Sequence, residues 1–288
     1  MSVLLPDEAL KGMRVGISVS ESPDLARLGL LEIHFRLALA EIARCVLVSG
    51  GTLAYGGHLR PDGYTTFLVQ ELEKYGRRDR PLLICLAWQE HRTLTLSDLH
   101  RRKGDLGLLG RIVCLDADGH EVDPAQDRGE MAEAVADVDL RRRALTRMRR
   151  YMGKQISGRV LLGGKRHDFQ GEIPGLMEEA LIALGSGQPL FLAGGYGGVT
   201  TDITRALGVD DGSWLPLPPD VPQDDPRWID GRRRLTDYAA STAWGGLRNG
   251  LSDEENRRLA ATHRPSDIAA LVSLGLGRTR TADAADRG

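Results

Sequence analysis

Charge of one sign is what this sequence most plainly lacks. Its 38 basic and 40 acidic side chains leave a formal net charge of −2 over 288 residues. The long-range field that concentrates a protein on nucleic acid or on an acidic membrane surface is therefore missing. Long apolar runs are missing too. Stretches such as 45–49 and 81–86 fall far short of the roughly 20 residues that cross a bilayer. The opening segment, MSVLLPDEALKGMR, has no basic-then-apolar signal layout. Cysteine is scarce: Cys45, Cys85 and Cys114 lie alone inside apolar segments, with no CxxC pair. They read as reduced core residues of a cytoplasmic protein. The seven histidines, His34, His58 and His167 among them, show no HxxxH or His/Cys spacing, so no metal is expected. A GxSxG elbow, a Cys–His pairing, a P-loop GxxxxGK(S/T) and a GxGxxG after the first strand are all absent. No cofactor is expected.

Glycine is abundant instead, with 35 residues beside only 5% aromatic side chains. So many glycines imply many backbone sites that need positive φ or a close approach. Between them, short apolar runs alternate with longer amphipathic stretches, the pattern of βαβ units. Strands are expected at 13–20, 52–57, 81–88, 111–119, 158–164 and 188–195, and helices at 24–48, 64–76, 128–152, 174–185 and from about 199. The fold class expected is α/β: a doubly wound, mostly parallel Rossmann-like sheet flanked by helices, with a C-terminal helical extension. The 128–152 stretch is acidic early and basic late, through Arg141, Arg147 and Arg150. That order complements a helix dipole, so the arginines need no nucleic acid to explain them.

After residue 207 the character changes. Five prolines between Pro216 and Pro226 exclude helix and central strand. Residues 214–228 read as a loop or lid with Trp214 and Trp228 as anchors. Ser252 with Glu255 fits a capping box, and Ser266 can cap the run DIAALVSLGLG; the last ten residues read as a disordered tail. The organisation is then a core, 1–207, with a proline-rich loop and helices, 208–288, packed on the same domain. The long helices at 24–48 and 128–152 carry apolar stripes, and a homodimer or higher oligomer is expected.

Three glycine clusters stand where strands end: Gly56-Gly57, Gly163-Gly164, and Gly194-Gly195-Tyr196-Gly197-Gly198. In a parallel sheet the carboxyl ends share one edge, so these turns converge on one crevice. Glycine amides and a following helix start suit an anion there. The third cluster, followed by Thr200 and Thr201, reads as a phosphate cradle. Ser18 and Ser20 in the first turn are further donors, whereas Ser22 reads better as a helix cap. Arg60 and Lys165 fit either phosphate partners or plain surface cations. The expected ligand set is Ser18, Ser20, Gly56, Gly57, Arg60, Gly163, Gly164, Lys165, Gly194, Gly195, Tyr196, Gly197, Gly198, Thr200 and Thr201. No catalytic residue is assigned; the candidates are Glu178, Glu179 and Asp202.

The segment GGKRHDFQGEIPGLMEEALIALGSGQPLFLAGGYGG (163–198) resembles the core of the SLOG superfamily, the Rossmann-like group of DprA and LOG proteins. It is especially similar to prokaryotic branches found in conflict systems beside TIR and membrane-effector domains. The first half, with ISVSESPDLARLG and LVSGGTLAYGGHLRPDGYT (within 17–65), resembles the same branches, and the likeness spans about 13–207. It implies a site for a nucleotide or a nucleotide-derived, ADP-ribose-like signal, a role in antiviral defence, and an effector protein in a separate chain. Some relatives instead cleave the N-glycosidic bond of nucleoside monophosphates, using a PGGxGTxxE motif. Here Ala193 replaces the proline, Gly198 the threonine, and Thr201 stands at the glutamate. Asp202 comes one residue late, a rotation of about 100° on a helix. Sensing is therefore the leading expectation and nucleotide N-glycosidase the alternative. DNA binding in the manner of DprA fits poorly with the near-zero net charge.

Overall fold

The computed structural model describes residues 5–75, 79–217, 221–242 and 246–285. Its six strands are β1 (Arg14–Ser20), β2 (Thr52–Gly56), β3 (Leu82–Leu86), β4 (Gly110–Cys114), β5 (Gly158–Gly163) and β6 (Leu190–Ala193). All pair in parallel, in the order β4-β3-β2-β1-β5-β6. Among the described residues eleven α-helices flank this sheet. The strands are apolar on both faces because both are covered. Successive side chains point to opposite sides. Leu82, Ile84 and Leu86 enter one cluster with α1 (Glu32–Val48), α2 (Tyr64–Glu73), α4 (Leu96–Leu106) and α11 (Pro265–Ala285). Leu83 and Cys85 face α6 (Val138–Gln155), and Leu161 and Leu192 face α7 (Gly175–Gly185), α8 (Gly198–Ala206) and α9 (Pro226–Ser241). The result is the doubly wound, Rossmann-like parallel sheet flanked by helices that was expected.

Several boundaries differ from expectation, each for a local reason. The helix expected from residue 24 begins only at Glu32. A short 3-10 turn, Ala26–Leu28, ends at Gly29 with φ of +67°, a left-handed stop. The helix expected from 128 begins at Val138, where Asp137 accepts the Leu140 N–H. The stretch before it is held extended: Arg128 donates to the carbonyls of His91 and Leu94, and Glu133 N–H donates to that of Arg92. Two helices that were not expected lie between β3 and β4, α3 (Trp88–Arg92) and α4, the latter started by Thr95, which accepts the Asp98 N–H. A short α5 (Pro124–Asp127) follows β4.

In the C-terminal part, Ser252 and Glu255 do form a capping box, at the start of α10 (Asp253–Ala261). Of the expected tail, the residues up to Ala285 are the end of α11, and 286–288 lie outside the described residues. Arg278 pairs with Glu255 and Arg280 donates to the carbonyl of Ala9, which holds that helix down. Of the expected lid, residues 218–220 lie outside the described residues. Its C-terminal end is the first turn of α9, with Pro226 at the start and Trp228 buried in the core. Arg27 and Arg205 hold the other end by its carbonyls, at Pro216 and at Gly212 and Leu215.

Candidate functional site

The strand order reverses between β1 and β5, since the chain runs outward one way through β2, β3 and β4 and the other way through β6. Ligands of open α/β sheets bind outside the carboxyl ends of the strands at such a switch point. A crevice of about 280 Å³ opens there. Ser20 closes β1 and Gly56-Gly57 close β2 on its floor; His58, Arg60 and Tyr64 come from the loop and helix that follow. Lys165, Phe169 and Gln170 come from the loop after β5, Glu179 from α7, Met148 and Arg149 from α6, and Glu90 from α3. A second lobe of about 380 Å³ shares His58, Arg60, Glu90 and Gln170 with the first and extends towards the end of β3. Another cavity, of about 150 Å³, lies among the C-terminal helices beside the start of β6 and touches none of these residues.

The expected ligand residues divide sharply. Ser20, Gly56, Gly57, Arg60 and Lys165 line the crevice, and so does Glu179. The Arg60 guanidinium makes no hydrogen bond or ion pair with any described residue, and Lys165 pairs with Glu21 at 3.0 Å on the surface. The glycines of β2 are fixed by packing: a Cβ on Gly57 would fall 2.4 Å from the Tyr55 ring, and one on Gly56 2.9 Å from Met148 Sδ.

The third glycine cluster does not open on the crevice. Gly194, Gly195, Tyr196, Gly197, Gly198, Thr200 and Thr201 are all buried. A Cβ on Gly195 would meet the Thr262 carbonyl at 1.9 Å. Thr200 Oγ1 donates to Gly163 O at 2.8 Å and Thr201 Oγ1 to Gly194 O at 2.6 Å. Tyr196 Oη donates to the carbonyls of His34 and His263. Gly163 and Gly164 are buried as well, against Ser20 O, Phe35 and Val199. The expected phosphate cradle is closed because the chain supplies its own anion. Asp24 Oδ2 accepts the Gly198 N–H at 2.7 Å and lies 2.8 Å from Arg166 Nη1. No α-helix starts at Ser22; its hydroxyl accepts the Asp24 N–H at 3.3 Å in a local turn and donates to Tyr196 O.

Arg166 also binds Asp202, from Nε at 2.7 Å and Nη2 at 3.1 Å, so one buried guanidinium joins two buried carboxylates. Burial opposes charge on Asp24, yet the Gly198 N–H and Arg166 outweigh it and hold its carboxyl below the ordinary value. For Asp202 burial prevails against Arg166 and pushes the carboxyl up. The other two catalytic candidates are engaged in the same way. Glu178 accepts from Arg149 and Thr146, and Glu179 from Arg159 and Ser18. Ser18 therefore lies beneath the crevice, bound to Glu179. Desolvation pushes the fully buried Arg159 guanidinium down, against Glu179.

Two residues the sequence reading passed over stand out at the end of β3. Glu90 makes no side-chain hydrogen bond or ion pair with any described residue, and burial pushes its carboxyl up, with Arg60 pulling the other way. Gln89, beside it on the second lobe, is 4% exposed, and neither amide atom has a hydrogen-bond partner. Their sequence signal was position: a polar run, Gln89-Glu90-His91, directly after an apolar strand at the ligand-bearing edge.

Among the described residues no cluster of His, Cys, Asp and Glu is arranged to hold a metal, and no helix is long and apolar enough to cross a membrane. The family model described as SLOG cluster2 matches residues 9–259. No curated protein matches the chain.

Proposed function

The chain belongs to the SLOG family, which carries nucleotide-related binding or processing roles, and from that premise we propose that it binds a phosphate-bearing, nucleotide-derived small molecule in the switch-point crevice. The observation that carries this reading is the pair of cations at its mouth, Arg60 without a partner and Lys165 with only a surface one, over a floor of strand-end glycines. Arg60 and Lys165 take the phosphate, and Ser20 supplies a hydroxyl. The phosphate subsite thus moves from the 194–201 turn to the 57–60 and 165 loops.

Sensing is preferred over hydrolysis because Glu178, Glu179 and Asp202 are all held by arginines. A carboxylate that must attack, or take and give a proton, is poorly placed when its oxygens are already engaged. An ADP-ribose-like signal and a defence role with a separate effector remain the finer form of this reading. A thermal-shift series with mononucleotides, dinucleotides and ADP-ribose tests it. A ligand at 100 times its dissociation constant stabilises the fold by about 2.7 kcal/mol. No shift across the whole series overturns the crevice assignment.

One observation favours base release as a second reading. Glu90 is an unpaired carboxyl raised by burial, the condition of a general acid. In that reaction the N-glycosidic bond breaks as the base leaves with a proton from Glu90, water adds its oxygen to the anomeric carbon, and the proton that water loses passes to solvent, from which Glu90 is reprotonated. Chromatography for free base separates the readings: release that Glu90→Gln abolishes establishes the enzyme, and binding without release leaves the sensor.

A further inference from the structure

We propose that the second lobe is a base-reading subsite, in which the Gln89 amide and the Glu90 carboxyl hydrogen-bond the edge of a planar nitrogen heterocycle. The inference rests on the nucleotide reading of the crevice and names the part of the ligand that this lobe takes. Its starting point is an unmet demand. Gln89 is almost fully buried, and both Oε1 and Nε2 lack a partner. Buried amides in folded proteins are nearly always satisfied, so an orphaned pair of this kind calls for a group that arrives from outside.

The chemistry of the lobe selects that group. A primary amide presents a donor and an acceptor side by side, the complement of a heterocycle edge with adjacent N–H and acceptor atoms. Glu90 adds a carboxyl with no protein partner, which accepts an N–H. Leu59, Pro61, Leu86 and Leu94 supply apolar walls, which suit a flat ring better than a hydroxylated sugar. The two lobes meet at Arg60 and Glu90. A nucleotide would then lie along the edge of the sheet, with phosphate at Arg60 and Lys165, the sugar between, and the base at the end of β3.

The test uses calorimetric titration of the full chain with GMP, AMP and ribose 5-phosphate, for the wild type, Gln89→Met and Arg60→Ala. The expected wild-type result is at least one mononucleotide binding tenfold or more tightly than ribose 5-phosphate. Gln89→Met should erase that preference and leave ribose 5-phosphate binding within twofold of wild type. Arg60→Ala should weaken both ligands together. The free Gln89→Met protein should also melt at a higher temperature than wild type, because an orphaned amide has been replaced by an apolar chain of similar length. A glutamine with a merely structural role would give a lower one. Equal wild-type affinity for ribose 5-phosphate and every mononucleotide overturns the base subsite while the phosphate reading stands. A base preference that survives Gln89→Met in a folded protein overturns it as well. Absence of binding by all three probes overturns the nucleotide reading, and this subsite with it.

Discussion

Asp24 Oδ2 accepts the Gly198 N–H at 2.7 Å, so the helix start that resembles an anion cradle already holds an anion from its own chain. The two residues are 174 positions apart, and they join the first βα turn to the last one. Arg166 completes the arrangement, lying between Asp24 and Asp202.

Removing that internal anion should cost the fold heavily. Asp24→Ala leaves a buried N–H without its acceptor and takes one partner from a buried ion network. A loss of about 3 kcal/mol is expected, read from urea unfolding. Gly197→Ala should be destabilising by about 2 kcal/mol. Its φ of +75° disfavours a side chain, and the new Cβ would fall 2.4 Å from that of Asp24. Both variants, where folded, should keep wild-type nucleotide affinity. Selective loss of affinity at full stability would return the ligand to the 194–201 turn.

Arg60→Ala and Lys165→Ala should each lower affinity for phosphate-bearing ligands by about tenfold, the scale of one charge-assisted hydrogen bond. Neither should shift the urea midpoint measurably, because both side chains are exposed at the crevice mouth. Titration at two salt concentrations checks the electrostatic origin, since the wild-type advantage should shrink as salt rises.

Stability should fall on mild acidification. His91 is fully buried, with Nε2 3.0 Å from Leu115 O, and burial holds its pKa below the ordinary 6.5 despite that carbonyl. The unfolded chain takes up a proton near pH 6.5 where the folded chain does not. The stabilisation is complete above that pH and is lost as pH falls towards the folded value. His58 carries the same sign, through burial and Arg60. Urea midpoints at pH 7.5 and 5.5 should differ in the wild type and differ less in His91→Gln. An identical slope in the variant would assign the effect elsewhere.

The α1 surface supplies a test of self-association. Ile33 and Leu37 are one helical turn apart and about half exposed, with Leu31 beside them. The expected homodimer places this stripe in its interface. Light scattering should give a dimer mass for the wild type and a monomer for the Ile33→Glu, Leu37→Glu double variant. A wild-type monomer at high concentration refutes the expectation.

The sheet was legible in the sequence because parallel strands buried on both faces are continuous apolar runs, LLICL at 82–86 being the plainest. The helices were legible where a cap and an apolar stripe coincide, as at Ser252, and were misplaced where a tertiary partner overrides the local pattern. Ser22-Pro23-Asp24 has the composition of a helix start, but Asp24 is taken by Gly198 and the helix waits for Glu32. The lining of the candidate crevice was half legible. Arg60, Lys165 and Gly56-Gly57 follow from the rule about strand ends. The GGYGG turn was misread for a physical reason: glycine permits close approach without saying whose atoms approach, and here they are the carbonyls of Ala260 and Thr262 and the side chain of Asp24. Gln89 and Glu90 belong to no named motif; their place after β3 was the one sequence signal, and the missing partners of the buried Gln89 amide became visible only in the fold.

α1 packs along α11, and Ile268, Leu271, Val272 and Leu276 share one apolar cluster with Phe35, Leu39 and Ile42. The cover for the earliest helix is therefore made after every strand of the sheet. A chain still on the ribosome with 260 or so residues extruded would carry a finished set of strands and an uncovered apolar flank. Productive folding of that flank waits for α11 to emerge, and until then its exposed hydrocarbon invites misassociation.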